Sequence, residues 1–184
     1  MTFHIKLSET DSELQGIQDL QKMNLLTEIS EAEKFNQGFV TVQHSLNQLR
    51  LLHDIEPHVI AIDGERVVGY ILAMTKDSRD LVPVLVPMFE QFDRLIFGEK
   101  QISAYDYMVI GQICVDKAYR GQGIFDKMYE LYQSTFSSNY DFAITEIALS
   151  NQRSLKAHHR VGFRTIHEFE DITQNWAIVL FDWK

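Results

Sequence analysis

Arg120-Gly121-Gln122-Gly123-Ile124-Phe125 is a run whose residue types and spacing suit the holding of an anion. It follows the apolar stretch Ile113-Cys114-Val115 and opens a segment with helical spacing, so the order reads strand, glycine-rich turn, helix. Such a turn leaves several backbone N–H groups unpaired and aimed at one point, with the positive end of the helix dipole behind them. A pyrophosphate fits that arrangement. The run is not a Walker A loop, because no lysine followed by Ser or Thr comes after the last glycine, and it lacks the G-x-G-x-x-G spacing of dinucleotide folds. A second cluster lies downstream: Glu146 in an apolar run, Asn151 at a strand-to-helix junction, His158 within the helix, and Gly162-Phe163 at its end.

The elements that must position these residues are readable from periodicity. Phe3 to Leu7 alternates as a short strand, and Asp11 to about Ile29 carries Leu14, Ile17, Leu20, Leu25 and Ile29 at helical spacing, with Thr10 or Asp11 as cap. Glu31 to Gly38 reads as a short helix or loop, and Val42 to about Ile55 as an amphipathic helix. Val59–Ile62 and Val67–Leu72, separated by Asp63-Gly64-Glu65, predict a hairpin. Asp80 to about Phe97 suggests a helix disturbed by Pro83 and Pro87. Tyr105 to Val115 predicts a strand, and Gly123 to about Phe136 a helix with an aromatic core stripe. Phe142 to Leu149, Phe163 to Phe169 and Trp176 to Trp183 complete the strands, and Gln152 to Arg160 is a helix stopped by Gly162. The early hairpin argues against a purely parallel, doubly wound sheet.

The chain has 184 residues and a formal charge of −9, which fits one domain and makes nucleic acid or an anionic membrane a poor partner. A single cysteine, Cys114, excludes an internal disulfide and points to a reducing, cytoplasmic compartment. The first residues lack the pattern of a signal peptide, and no apolar run is long enough to span a membrane. His158-His159 with His167 does not predict a metal site: adjacent helical residues diverge by about 100°, and no carboxylate completes a ligand set.

Taken together, the two motifs resemble those of the GNAT superfamily of acetyl-CoA-dependent N-acetyltransferases. Ile113-Cys114-Val115-Asp116 through Arg120-Gly121-Gln122-Gly123-Ile124 is similar to that family's acyl-CoA loop and the strand before it. Asn151-Gln152-Arg153-Ser154-Leu155 through His158 to Gly162-Phe163 is similar to its Asn…Tyr…Gly-Phe segment. Phe125 stands where the family often has Gly or Ala, and His158 where it usually has Tyr. The resemblance implies an α/β fold, a single GNAT-like domain over 1–184, with a central mixed, mostly antiparallel, splayed sheet flanked by helices. It also implies that the backbone of Ile113, Cys114 and Val115 pairs with the pantetheine arm, the Ile113 amide polarising the thioester carbonyl. Arg120 opens the loop in which the amides of Gly121, Gln122, Gly123, Ile124, Phe125 and Asp126 hold the pyrophosphate, and Asn151 bonds the pantetheine arm. Glu146 then serves as base toward the amine and His158 as acid toward the thiolate. Alternation sets Glu146 on an apolar strand face, where desolvation raises its pKa toward a useful range. No serine or cysteine stands beside a paired base, which agrees with direct attack. The acceptor is an amine of a small molecule or a protein or peptide, in a pocket expected from residues 24–55 and 76–104. A homodimer through exposed sheet edges stays open. The rival reading is a catalytically silent acyl-CoA-binding module.

Overall fold

A computed structural model of the chain describes residues 2–25, 40 and 42–184. Strand β1 (His4–Leu7) leads into helix α1 (Asp11–Asn24), which starts on a capping box: the Thr10 hydroxyl accepts from Glu13 N while the Glu13 carboxylate accepts from Thr10 N. The expected continuation of α1 to Ile29 and the segment from Glu31 to Gly38 lie outside the described residues. Helix α2 (Leu46–His53) is shorter than the spacing predicts, because Ser45 and Gln48 form a capping box at its start. The preceding Val42 has its carbonyl accepting from the Gln112 side chain at 2.8 Å.

Strands β2 (Val59–Asp63) and β3 (Arg66–Met74) form the expected hairpin, with Gly64 at φ +60° in its turn. Between β3 and the next long strand the prolines decide the structure. Two 3₁₀ turns (Lys76–Leu81 and Pro83–Leu85) come first, and helix α3 (Val86–Arg94) begins with Pro87 in its first turn, where its missing N–H is harmless. A small hairpin follows, β4 (Ile96–Phe97) with β5 (Lys100–Gln101), which the periodicity does not predict. The remaining elements are β6 (Tyr107–Val115), α4 (Ile124–Phe136), β7 (Phe142–Ala148), α5 (Gln152–Arg160), β8 (Arg164–Glu170) and β9 (Asn175–Asp182).

The main sheet runs β1-β2-β3-β6-β7-β9-β8. Every neighbouring pair is antiparallel except β6–β7. That parallel ladder joins Tyr107 to Phe142, Met108 to Ala143 and Val109 to Ile144, and then stops. The cause is a bulge in β6: β3 pairs Leu72 with Gln112 and Ala73 with Ile110, so Gly111 is the extra residue. A Cβ on Gly111 would lie 2.3 Å from Met74 Sδ, so a side chain here would displace the buried Met74 side chain. Past the bulge β6 and β7 diverge, and Thr145 Oγ1 closes the crotch of the fork by donating to the Ile110 carbonyl at 2.8 Å.

Helix layers cover both faces. On one, Met128, Tyr129, Tyr132 and Phe136 of α4 pack on Ile71, Met108, Ala143 and Val179. On the other, α1 and α2 cover Ile60, Tyr70 and Leu72, while α3 covers Tyr107, Ile144 and Leu180. The fork is thus roofed and floored by apolar residues and open only between its prongs.

Candidate functional site: a cleft in the forked sheet

Two cavities open beyond the fork, and Ile113, Asn151 and Ser154 line both. The larger, about 800 Å³, has the glycine-rich turn on one side and α5 on the other. Gly121 and Gly123 adopt φ of +78° and +79°, and a Cβ on either would meet nothing within 4 Å, so both face open space. Gly123 supplies no side-chain cap to α4, and the first bond of that helix runs from Lys127 N to the Gly123 carbonyl. The N–H groups of the first turn are therefore left for whatever fills the cleft.

Of the loop residues expected to meet a phosphate, Arg120, Gly121, Gly123, Ile124, Phe125 and Asp126 line the cavity, whereas the Gln122 side chain turns back to the Ala118 carbonyl at 3.2 Å. Arg120 also ties the site together, donating to the Val115 carbonyl at 2.9 Å and to Asn24 Oδ1 at 3.0 Å. Among the described lining residues Arg120, Arg153, Lys156 and Arg160 are cationic and only Asp126 is anionic, its carboxylate 2.8 Å from Arg160. A chain of charge −9 thus concentrates positive charge in one cleft. Asn151 caps α5, its Oδ1 accepting from Ser154 N at 3.2 Å. Cys114 is buried, and burial pushes its thiol up to about 12, so it offers no thiolate.

The smaller cavity, about 100 Å³, holds Glu146. Phe142 and Ile144 of β7 share its strand face, and Ile178 pairs with it across β9. Among the described residues its carboxylate has no hydrogen bond or ion pair. Burial, and secondarily the charge of Asp171, raise it to about 7.

His158 is only 1% exposed. Its Nδ1 lies 2.8 Å from the Ser154 carbonyl and 3.3 Å from Ser154 Oγ, and its Nε2 2.8 Å from the Tyr129 hydroxyl. A carbonyl oxygen can only accept, so the proton sits on Nδ1 and Tyr129 O–H donates to Nε2. Burial lowers its pKa to about 4, so the ring is neutral near pH 7. The Phe125 ring meets it edge-on at 5.3 Å and also packs on Tyr129, which is how a bulky residue fits the loop while its amide stays at the helix start.

The model of the acetyltransferase (GNAT) family matches residues 23–163. The chain belongs to this family. No curated protein matches it in sequence. Among solved structures it is similar to a chain of the NatC complex bound to Gag peptide and CoA, at 15% identity, 99% coverage of each chain and a TM-score of 0.67. It is also similar to the ribosomal-protein-S18-alanine N-acetyltransferase from Escherichia coli, at 10% identity, covering 100% of this chain and 95% of that one, with a TM-score of 0.65. The third is Arabidopsis thaliana NAA60 in complex with acetyl-CoA, at 12% identity, 98% and 99% coverage and a TM-score of 0.65. At these identities the likeness carries the fold.

In this GNAT acetyltransferase the cavities are also lined by residues to which the motifs assign no role. Arg153, Lys156 and Arg160 recur at i, i+3 and i+7 and so share a face of α5, a signal present in the sequence. Ser154 and Trp176 carry no comparable signal. Gln112 joins Tyr70 (O–H to Oε1, 2.6 Å) to Val42, contacts that need the fold to exist. Among the described residues no three His, Cys, Asp or Glu gather as a metal site, and no helix is long and apolar enough to cross a membrane.

Proposed function

We propose that this acetyltransferase moves an acetyl group from acetyl-CoA to an amine by direct attack. The observation that carries the reading is that the two cavities share Ile113, Asn151 and Ser154 in their walls: an uncapped helix start in a cationic cleft adjoins a carboxylate that has no partner among the described residues. The pyrophosphate is placed on the amides from Gly121 to Asp126, within reach of the basic face of α5. The pantetheine arm lies along the flank of Ile113, Cys114 and Val115 that no strand covers, with Asn151 across from it, and the Ile113 N–H faces the thioester oxygen. Glu146, with a pKa of about 7, takes the proton of the incoming ammonium directly or through water. The C–N bond forms, the C–S bond breaks with CoA leaving as its thiolate, and the second proton of the attacking nitrogen ends on that sulfur, so the products are the neutral amide and CoA thiol.

His158 is proposed to act on the sulfur through Ser154. With the His158 Nδ1–H directed at Ser154, the Ser154 hydroxyl has its own proton free for an acceptor at the meeting of the two cavities, where the leaving sulfur belongs. The reducing, cytoplasmic setting proposed for the chain agrees with its single buried cysteine.

The test pairs calorimetric titration with CoA and release of free thiol from acetyl-CoA over an amine panel. Binding with amine-dependent thiol release is expected. Binding without turnover on any amine moves the chain to the silent-module reading, and no binding removes the proposal.

A further inference from the structure

We infer that the acceptor is a singly charged amine borne on an apolar, uncharged skeleton, rather than a polyamine or an amino sugar. The inference rests on the acetyl-transfer reading above and comes from the polar groups around the cavity that holds Glu146. Val42, Leu85, Met88, Ile110 and Trp176 form its apolar wall. Among the described lining residues Glu146 alone carries a formal negative charge, so one ammonium is matched and a second is not.

The other polar side chains are already committed. Gln112 accepts from Tyr70 O–H and donates to the Val42 carbonyl. The Thr145 hydroxyl donates to the Ile110 carbonyl. Both ring nitrogens of His158 are engaged. The indole N–H of Trp176 is the exception, with no hydrogen-bond partner among the described residues; it is itself buried, so the cavity meets the ring and not its donor. Asn151 and Ser154 sit where the cavity joins the donor cleft and serve the thioester. A second ammonium or a set of ring hydroxyls entering this space would lose water without gaining partners among the described residues, whereas an alkyl or aralkyl group loses nothing polar. The volume, about 100 Å³, is a few water molecules' worth and admits an amine with a short side chain. The same chemistry is offered by a free aliphatic amine and by the amino end of a peptide whose first residue is apolar.

The test measures kcat/KM by thiol release, at saturating acetyl-CoA, for matched pairs: n-butylamine against 1,4-diaminobutane, cyclohexylamine against glucosamine, and tetrapeptide amides differing only in a first residue of Leu or Lys. The apolar member of each responsive pair is expected to lead by at least about tenfold, and activity confined to the peptides or to the free amines identifies the source. A diamine or amino sugar that equals or beats its apolar partner overturns the inference, as does CoA binding with no pair turned over. Loss of CoA binding instead overturns the underlying acetyl-transfer reading. Val42→Asp places a second carboxylate on the wall at a half-buried position outside any helix, and leaves intact the main-chain carbonyl that Gln112 uses. It should narrow the butylamine-to-diaminobutane ratio; an unchanged ratio removes this cavity as the selector.

Discussion

Glu146 is a carboxylate whose neighbours penalise its charge, and that has two opposite consequences. As a base it works only when ionised, so kcat/KM should rise with pH through about 7 and level off above it. Glu146→Gln should lower turnover at pH 7.5 by roughly 10²-fold or more and flatten that limb; a profile that keeps its shape would acquit the residue. As a structural group it costs stability. Its folded pKa lies above the ordinary 4.5, so the cost is absent below pH 4.5, grows as pH rises, and is complete above about 7. It amounts to on the order of 3 kcal/mol. The Gln variant should therefore melt above wild type at pH 8 and level with it near pH 4, which circular dichroism can follow. A second pair of variants addresses the sulfur. If His158 works through Ser154, then Ser154→Ala and His158→Phe each slow turnover while sparing CoA binding, and the double variant is no slower than the worse single one. Additive losses would separate the two roles. His158 could be placed by its motif, but its neutrality could not, because it comes from burial against Phe125, Tyr129 and Phe163, which other elements bring to the ring.

The glycine-rich turn, the cap on α5 and the hairpin at Gly64 were legible because each is a local bargain between neighbouring residues. The start of α2 was not: the periodicity from Val42 is sound, yet Ser45 caps the helix and Gln112 engages the Val42 carbonyl from a strand far along the chain. The β6 bulge was also hidden, since Gly111 looks like any strand glycine until Met74 is set against it. The turn itself makes a prediction at this scale. Gly123 and Gly64 share a left-handed backbone and have open space where a methyl would project, so alanine at either should cost about 1 kcal/mol of stability. Only Gly123→Ala puts that methyl into the donor cleft, so it alone should weaken CoA binding, by tenfold or more on the scale of one lost charge-assisted bond at roughly 1.5 kcal/mol. Equal CoA affinity in the two variants would take the diphosphate off this turn.

Across the whole molecule, buried imidazoles set the acid limit. Burial holds His44 at about 4, His58 at about 3 and His158 at about 4. These are depressed below the ordinary 6.5, so the unfolded chain takes up protons that the folded one refuses, and stability is lost as pH falls below 6.5. Each contributes about 1.4 kcal/mol per pH unit, and together they outweigh the opposite drift from Glu146. The melting temperature should drop steeply between pH 6.5 and 5; a flat profile would mean the rings are protonated in place. The fork in the sheet has a different consequence. Beyond Val109 on β6 and Ile144 on β7, each prong has a strand on one flank alone, so the protein carries a raw border inside itself, screened from other chains by the helices above and below. Amide hydrogens along that border should trade rapidly for deuterium in the empty protein and slow once a peptide-like arm lies beside them, while those of β2 and β3 keep their own pace.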